Sequence, residues 1–161
     1  MSVSYSLFPI KFVHENKQAF IDHAEAVDCF GEIDFERNEA ISRYPSRSEL
    51  LAALERAGID VDEKVSTSSE AGGGYSESYL ISDQKSVFEY DLTVTYEGEE
   101  HTIKRISGIT SDLRLLFKLA VSLSKEYGSY YIFSPYELIF VDAKQKNDAW
   151  AIYVRDSGYI D

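Results

Sequence analysis

The stretch that decides the fold is Ser111–Val141, SDLRLLFKLAVSLSKEYGSYYIFSPYELIFV. Its first half predicts a helix over Ser111–Tyr127, because apolar residues recur at three- and four-residue spacing and a glycine follows as a stop. Its second half holds two apolar runs, Tyr130–Phe133 and Glu137–Val141, which predict strands separated by a Ser-Pro turn. A helix this apolar is expected to pack across a sheet as the central element of the core.

The segment before this stretch predicts antiparallel strands over Tyr79–Ile109, because apolar and polar residues alternate from Phe88 to Tyr96. The pair Glu97-Gly98 predicts a two-residue hairpin turn. The strand register that follows from this turn has three pairs: Val94 with His101, Leu92 with Ile103 and Asp91 with Lys104.

Upstream of the hairpin, the polar segment Asp60–Ser78, with three consecutive glycines in its middle, predicts a surface loop. Ser46–Ala57 predicts a short helix, because Ser46 and Glu49 have the spacing of a capping box. A second helix is predicted over Asn16–Phe30 from its three- and four-residue spacing of apolar residues.

The two ends of the chain predict further strands. Val3–Phe12 is interpreted as an edge strand or as two short strands, because Pro9 interrupts it and proline is tolerated mainly at sheet edges. Ala149–Val154 is interpreted as a third C-terminal strand.

The order of these elements predicts the fold class. Strands and helices are segregated along the chain, with no internal repeat and no alternation of strand and helix. This order predicts a single α+β domain over residues 1–161, with an antiparallel sheet of about five to seven strands and two or three helices packed on it.

The chain is strongly acidic, with 28 Asp and Glu against 16 Lys and Arg and a formal net charge of -12. This balance argues against direct binding to nucleic acid and against docking on an anionic membrane, because both need a positive protein surface. It favours a basic protein partner, which such a charge would steer toward the surface.

Two segments concentrate the acids. Residues 22–39 hold seven acids against one arginine, and residues 89–100 hold five acids and no Lys or Arg. Clustered carboxylates of this kind predict a surface that docks on a basic partner. The partner-binding candidates are Glu32, Asp34 and Glu36 in the first segment, and Tyr96, Glu97, Glu99 and Glu100 in the second. Aromatic rings that could anchor such an interface are Tyr44, Tyr75, Tyr79, Tyr96 and Trp150.

No residue pattern predicts catalysis, a metal site or a cofactor. His14, His23 and His101 lack a recognised ligand spacing. Cys29 has no catalytic signature around it and is expected to be a small buried side chain. A single cysteine, the lack of a signal-peptide pattern at the N-terminus and the lack of a long apolar run predict a cytoplasmic protein.

The order of elements over Leu113–Val141 resembles a pattern in small acidic immunity proteins that bacteria pair with interbacterial toxins. The apolar helix ends in Lys125-Glu126-Tyr127-Gly128, and the strand Tyr130–Phe133 and the turn Ser134-Pro135 follow. The resemblance implies a bacterial inhibitor that occludes the active site of a cognate toxin and has no chemistry of its own. Two alternatives remain open: a small enzyme or ligand-binding domain with a carboxylate-containing pocket beneath Asp60–Ser78, and an acidic mimic of nucleic acid from a phage or its host.

Overall fold

The computed structural model describes residues 3–68, 74–82, 89–97, 102–110, 113–144 and 149–159, and the following statements concern these ranges. They form an α+β fold in which helices cover a mixed sheet. The helices are Ile10–Glu15 (α1), Lys17–Ala26 (α2), Arg47–Arg56 (α3), Leu113–Tyr127 (α4) and Ala149–Ser157 (α5). The strands are Val3–Pro9 (β1), Asp28–Phe30 (β2), Asp60–Ser68 (β3), Gly74–Ser82 (β4), Glu89–Glu97 (β5), Thr102–Thr110 (β6), Tyr130–Phe133 (β7) and Glu137–Val141 (β8).

The eight strands of the described residues form one sheet in the order β2-β8-β7-β1-β6-β5-β4-β3. Neighbouring strands are antiparallel except β2 and β8, which are parallel. The α+β class is therefore confirmed, whereas the purely antiparallel sheet is corrected to a mixed one. The described residues hold more strands than the sequence predicts because polar segments pair as β3 and β4. They hold more helices because α1 and α5 form where the sequence predicts strands.

Strands β7 and β8 are apolar at nearly every position because both faces of the sheet are covered there. Tyr130 and Ile132 point into a core cluster that contains α3, α4 and α5, whereas Tyr131 points into a second cluster with α1 and α2. In β8, Ile139 and Phe140 divide between the same two clusters. The prediction that the apolar helix is the main core element is confirmed, since ten of the fifteen residues of α4 are buried.

Helix α3 begins as its sequence predicts. The backbone N–H of Glu49 donates to the Ser46 hydroxyl at 3.3 Å, and the Ser46 N–H donates to the Glu49 carboxylate at 2.9 Å, so the capping box is complete. Arg43 adds a bidentate ion pair to Glu49 with two contacts of 2.8 Å. Hydrogen bonding to Arg43 holds the pKa of the Glu49 carboxyl far below its usual range.

The N-terminal predictions need correction. Strand β1 lies inside the sheet between β7 and β6, not at its edge. Pro9 is tolerated because it is the last residue of β1 and precedes α1, where no ladder N–H is required of it. The helix predicted over 16–30 is present as α2 but ends at Ala26, because residues 28–30 join the sheet as β2. The strand predicted over Val3–Phe12 ends at Pro9, and the residues after it begin α1.

Asp60–Ser78 is not a surface loop, because most of it forms β3 and the first half of β4. Because the segment is polar, its sequence alone does not indicate that it pairs with neighbouring strands. The glycines at 72 and 73 lie outside the described residues, and Gly74 begins β4. The described parts of this segment are strands, so they form no loop beneath which the expected pocket could lie.

Strands β5 and β6 pair with each other as the predicted hairpin requires, but the predicted register is wrong. Val94 pairs with Ile106, Leu92 with Gly108 and Asp91 with Ile109. Glu97 pairs with Thr102, so four residues connect β5 and β6 rather than a two-residue turn at Glu97-Gly98. An irregularity between Thr95 and Tyr96 shifts the register further, which period-two alternation cannot reveal.

The predicted strand Ala149–Val154 is also wrong, because these residues begin helix α5. Trp150 and Tyr153, three positions apart, both contact Phe117 of α4, with ring centroids 5.2 and 5.1 Å away. A short apolar run is compatible with the spacing of a helix and with that of a strand, and here packing against α4 favours the helix.

Candidate functional site

An acidic edge runs along the β2 end of the sheet. Its carboxylates belong to the end of α2, to β2 and to the segment that follows, and all of them are exposed. The members of this acidic edge are Asp22, Glu25, Asp28, Glu32, Asp34 and Glu36.

The segment after β2 presents its acids to solvent because its side chains alternate. Ile33 and Phe35 are half-buried, and the Phe35 ring stacks on Tyr131 with centroids 6.2 Å apart. The intervening Asp34 accepts the Glu36 backbone N–H at 3.0 Å, which closes a local turn. Because Ile33 and Phe35 face inward, the side chains of Glu32, Asp34 and Glu36 face solvent.

Gly31 lets this segment approach the sheet. Its φ is +89°, and a Cβ atom built there would lie 2.8 Å from the Phe140 carbonyl oxygen. Any other residue would meet both a strained backbone and a steric overlap. The glycine therefore allows the chain to turn out of β2 close to β8, directly before the acidic segment that starts at Glu32.

The basic residues near the acidic edge already have acidic partners. Lys17 contacts Glu36 at 2.9 Å. Arg37 contacts Glu39 and Asp142, each at 3.2 Å, and lies over the Phe140 ring. These ion pairs leave the edge with an excess of negative charge.

Tyr136 gives the acidic edge an aromatic side chain, and 69% of its surface is exposed. The Asp28 backbone N–H donates to the Tyr136 carbonyl at 3.4 Å, so an exposed tyrosine and an exposed aspartate are neighbours. Sequence reasoning missed this residue. The sequence signal for it was an aromatic residue directly after a Ser-Pro turn, because residues at surface turns are commonly exposed.

The structure brings together only some of the predicted site residues. Glu32, Asp34 and Glu36 lie on one short exposed segment. Tyr96 and Glu97 lie at the end of β5, five strand positions from β2, which corresponds to about 24 Å across the sheet. Glu99 and Glu100 lie outside the described residues. The two acidic segments of the sequence therefore start from different parts of the sheet.

Other aromatic candidates are dispersed. Tyr44 is half-buried, and burial raises the pKa of its hydroxyl, so its ring belongs to the fold rather than to an exposed anchor. Trp150 is half-buried at the start of α5, where its ring packs against Phe117 of α4, so it is also part of the fold. Tyr75 and Tyr79 lie in β4, and their side chains are outside the described part of the structure.

Cys29 is exposed in β2, which corrects the expectation that it is buried. Its thiol donates to the Ala24 carbonyl at 3.5 Å. Partial burial and the nearby Asp28 carboxylate raise the pKa of the thiol, so it is not activated as a nucleophile.

The two histidines of the described ranges do not form a ligand set. His23 stacks on Phe133 with ring centroids 4.0 Å apart. Within the described ranges, no group of three or more His, Cys, Asp or Glu side chains is placed to hold a metal ion. His101 lies outside those ranges.

A cavity of about 390 Å³ lies beside the acidic edge, and its lining includes Phe30, Glu32, Asp142, Tyr153 and Asp156. The Tyr153 hydroxyl donates to the Glu137 carboxylate at 2.5 Å. Burial is the main cause, and this hydrogen bond the second, of a pKa of Tyr153 well above its usual range. The cavity has the size of a small-molecule site and carries carboxylates.

The chain matches no protein-family model, no curated protein and no solved structure. Among the helices described, none is long and apolar enough to cross a membrane.

Proposed function

We propose that this protein is an interaction module, and most concretely an immunity-type inhibitor that covers the active site of a basic cognate toxin. The observation that carries the proposal is the acidic edge, where exposed carboxylates outnumber the cations and the nearby Lys17 and Arg37 are engaged in ion pairs. Such a surface accelerates association with a basic partner and selects against acidic ones.

Tyr136 supports the same proposal. Interfaces derive most of their binding free energy from a few aromatic or arginine side chains that lose their water, and charged rims contribute mainly to rate and specificity. Tyr136 beside Asp28 places an exposed aromatic ring next to an exposed carboxylate. The proposed complex buries the Tyr136 ring and surrounds it with acid–base contacts.

The test is affinity purification of a basic partner by the tagged full-length protein from its native lysate, followed by inhibition of that partner's activity. We expect one stoichiometric basic protein, less of it at high salt, and loss of its activity when the complex forms. The variant Glu32→Lys/Asp34→Lys should weaken capture and inhibition together. The control Glu55→Lys/Glu126→Lys makes the same change of charge at exposed positions of α3 and α4 and should retain both.

A third variant, Glu97→Lys/Glu99→Lys/Glu100→Lys, separates the two acidic segments of the sequence. Loss of capture by this variant alone would move the interface to the β5–β6 connection and refute the acidic edge. Capture without inhibition would refute the inhibitor. Capture of a DNA- or RNA-binding protein that nucleic acid displaces would favour the acidic mimic instead.

The second candidate is a small enzyme or ligand-binding domain, favoured by the cavity that Glu32, Asp142 and Asp156 share. Because Asp142 and Asp156 form ion pairs with Arg37 and Arg155, a hydroxylated small molecule would bind against these pairs and the Glu32 carboxylate. An absence of any partner at low and high salt, together with binding of a small molecule that Asp142→Asn abolishes, would favour this candidate over the inhibitor.

A further inference from the structure

A groove of about 540 Å³ lies along the outer side of α4, between the end of α3 and the beginning of α5. Helix α4 lines it with one face, because Arg114, Phe117, Lys118 and Lys125 are spaced by three, four and seven residues. Arg56 contributes from the last position of α3. The groove uses none of the carboxylates of the acidic edge, and it shares Phe117 with the cavity beside that edge.

The charge of this groove is opposite to that of the whole protein. Among the described residues that line the groove, the charged side chains are four cations, Arg56, Arg114, Lys118 and Lys125, and none is acidic. The chain as a whole carries a net charge of -12. Arg114 and Lys118, four residues apart, lie on the same face of α4. The groove is therefore a basic region on an acidic protein.

Rings lie beside these cations. Phe117 is buried beneath the groove with 2% of its surface exposed, and Trp150 is half-buried at its side. Their ring centroids are 5.2 Å apart in an edge-to-face arrangement. The lining therefore combines positive charge with aromatic surface, and its volume falls within the usual range for small-molecule sites.

We propose that this groove binds a small phosphate-bearing ligand with an aromatic ring, which is the chemistry of a nucleotide. Arginine guanidinium groups bind phosphate oxygens in pairs, and lysine ammonium groups act as point charges on the same oxygens. The ring of the ligand lies against Trp150. This site is independent of the proposed inhibitor function, because it uses none of the residues of the acidic edge.

Trp150 makes the proposal measurable because it is the only tryptophan in the chain. The experiment titrates ATP, free of divalent metal, into the full chain while recording tryptophan emission and, separately, the heat of binding. We expect a saturable response in both signals that weakens as salt is added. Lys118→Ala/Lys125→Ala should weaken binding by at least about tenfold, since it removes two charge-assisted contacts to phosphate.

The control Lys11→Ala/Lys144→Ala removes two exposed lysines that do not line the groove and should leave binding unchanged. Adenosine and pyrophosphate should each bind more weakly than ATP, because adenosine lacks the phosphates and pyrophosphate lacks the aromatic ring. Three results would overturn the proposal: neither emission nor heat changes, both lysine variants bind alike, or pyrophosphate binds as tightly as ATP.

Discussion

Two tyrosine hydroxyls near the start of α3 show how a single polar atom contributes to the fold. The Tyr130 hydroxyl donates to the Arg43 carbonyl at 2.6 Å, and the side chain is fully buried. The buried Tyr44 hydroxyl has no hydrogen-bond partner among the described residues. Burial raises the pKa of both hydroxyls, so both remain protonated at neutral pH. Their removal should therefore have different consequences.

We expect Tyr130→Phe to lower the free energy of unfolding by about 1–3 kcal/mol, because it removes a hydrogen bond and leaves the Arg43 carbonyl unpaired. Tyr44→Phe should change it by less than about 0.5 kcal/mol or stabilise the protein, because no hydrogen bond is lost. Urea denaturation of the two variants beside the parent protein measures the difference. Equal losses would show that the two hydroxyls are equivalent in solution.

At the scale of elements, α4 and α5 show where periodicity is informative. Helix α4 is long enough for its apolar spacing to exclude a strand, and Gly128 after it adopts the positive φ of +81° expected of a helix stop. Helix α5 is shorter, and its apolar residues fit either a strand or a helix. Only the rings of α4 against which α5 packs decide between the two.

Leu116→Ala tests the role of α4 as the main core element. Leu116 is 1% exposed, so its truncation should lower the free energy of unfolding by about 2–5 kcal/mol through lost burial and a cavity. Glu126→Ala, at an exposed position of the same helix, should change it by less than about 0.5 kcal/mol. Chemical denaturation gives both values, and similar effects of the two substitutions would refute the assignment of α4 to the core.

At the scale of the whole molecule, charge is divided between two surfaces. The acidic edge carries exposed carboxylates, whereas the groove along α4 carries four basic side chains. This division depends on the fold, because the acids of the edge and the cations of α4 are far apart in the sequence. A uniform acidic coat, which the composition alone would indicate, is not what the described residues show.

The net charge of -12 predicts that salt stabilises the protein. Raising NaCl from about 0.01 M to about 0.15 M shortens the screening length from about 30 Å to about 8 Å, so repulsion among the acids declines and Tm should rise. Glu32→Lys/Asp34→Lys should show a smaller rise, because it removes two negative charges and adds two positive ones. A Tm that is independent of salt would show that the acidic edge does not strain the fold.

The sequence by itself determined the α+β class, the capped helix α3, the apolar helix α4 and the strands β7 and β8. Each of these is specified by local spacing, by a cap or by a turn, so neighbouring residues carry the whole signal. The exposure of Glu32, Asp34 and Glu36 was also predictable, since clustered charge rarely enters a core.

Only the tertiary structure decided the remainder. Strands β3 and β4 are polar, so their place in the sheet depends on pairing with neighbours that the local sequence does not reveal. The register of β5 and β6, the position of β1 inside the sheet and the helical state of α5 likewise depend on residues far away in the chain. The same holds for the place of Tyr136 beside Asp28 and for the basic groove, because contacts between distant segments have no local pattern.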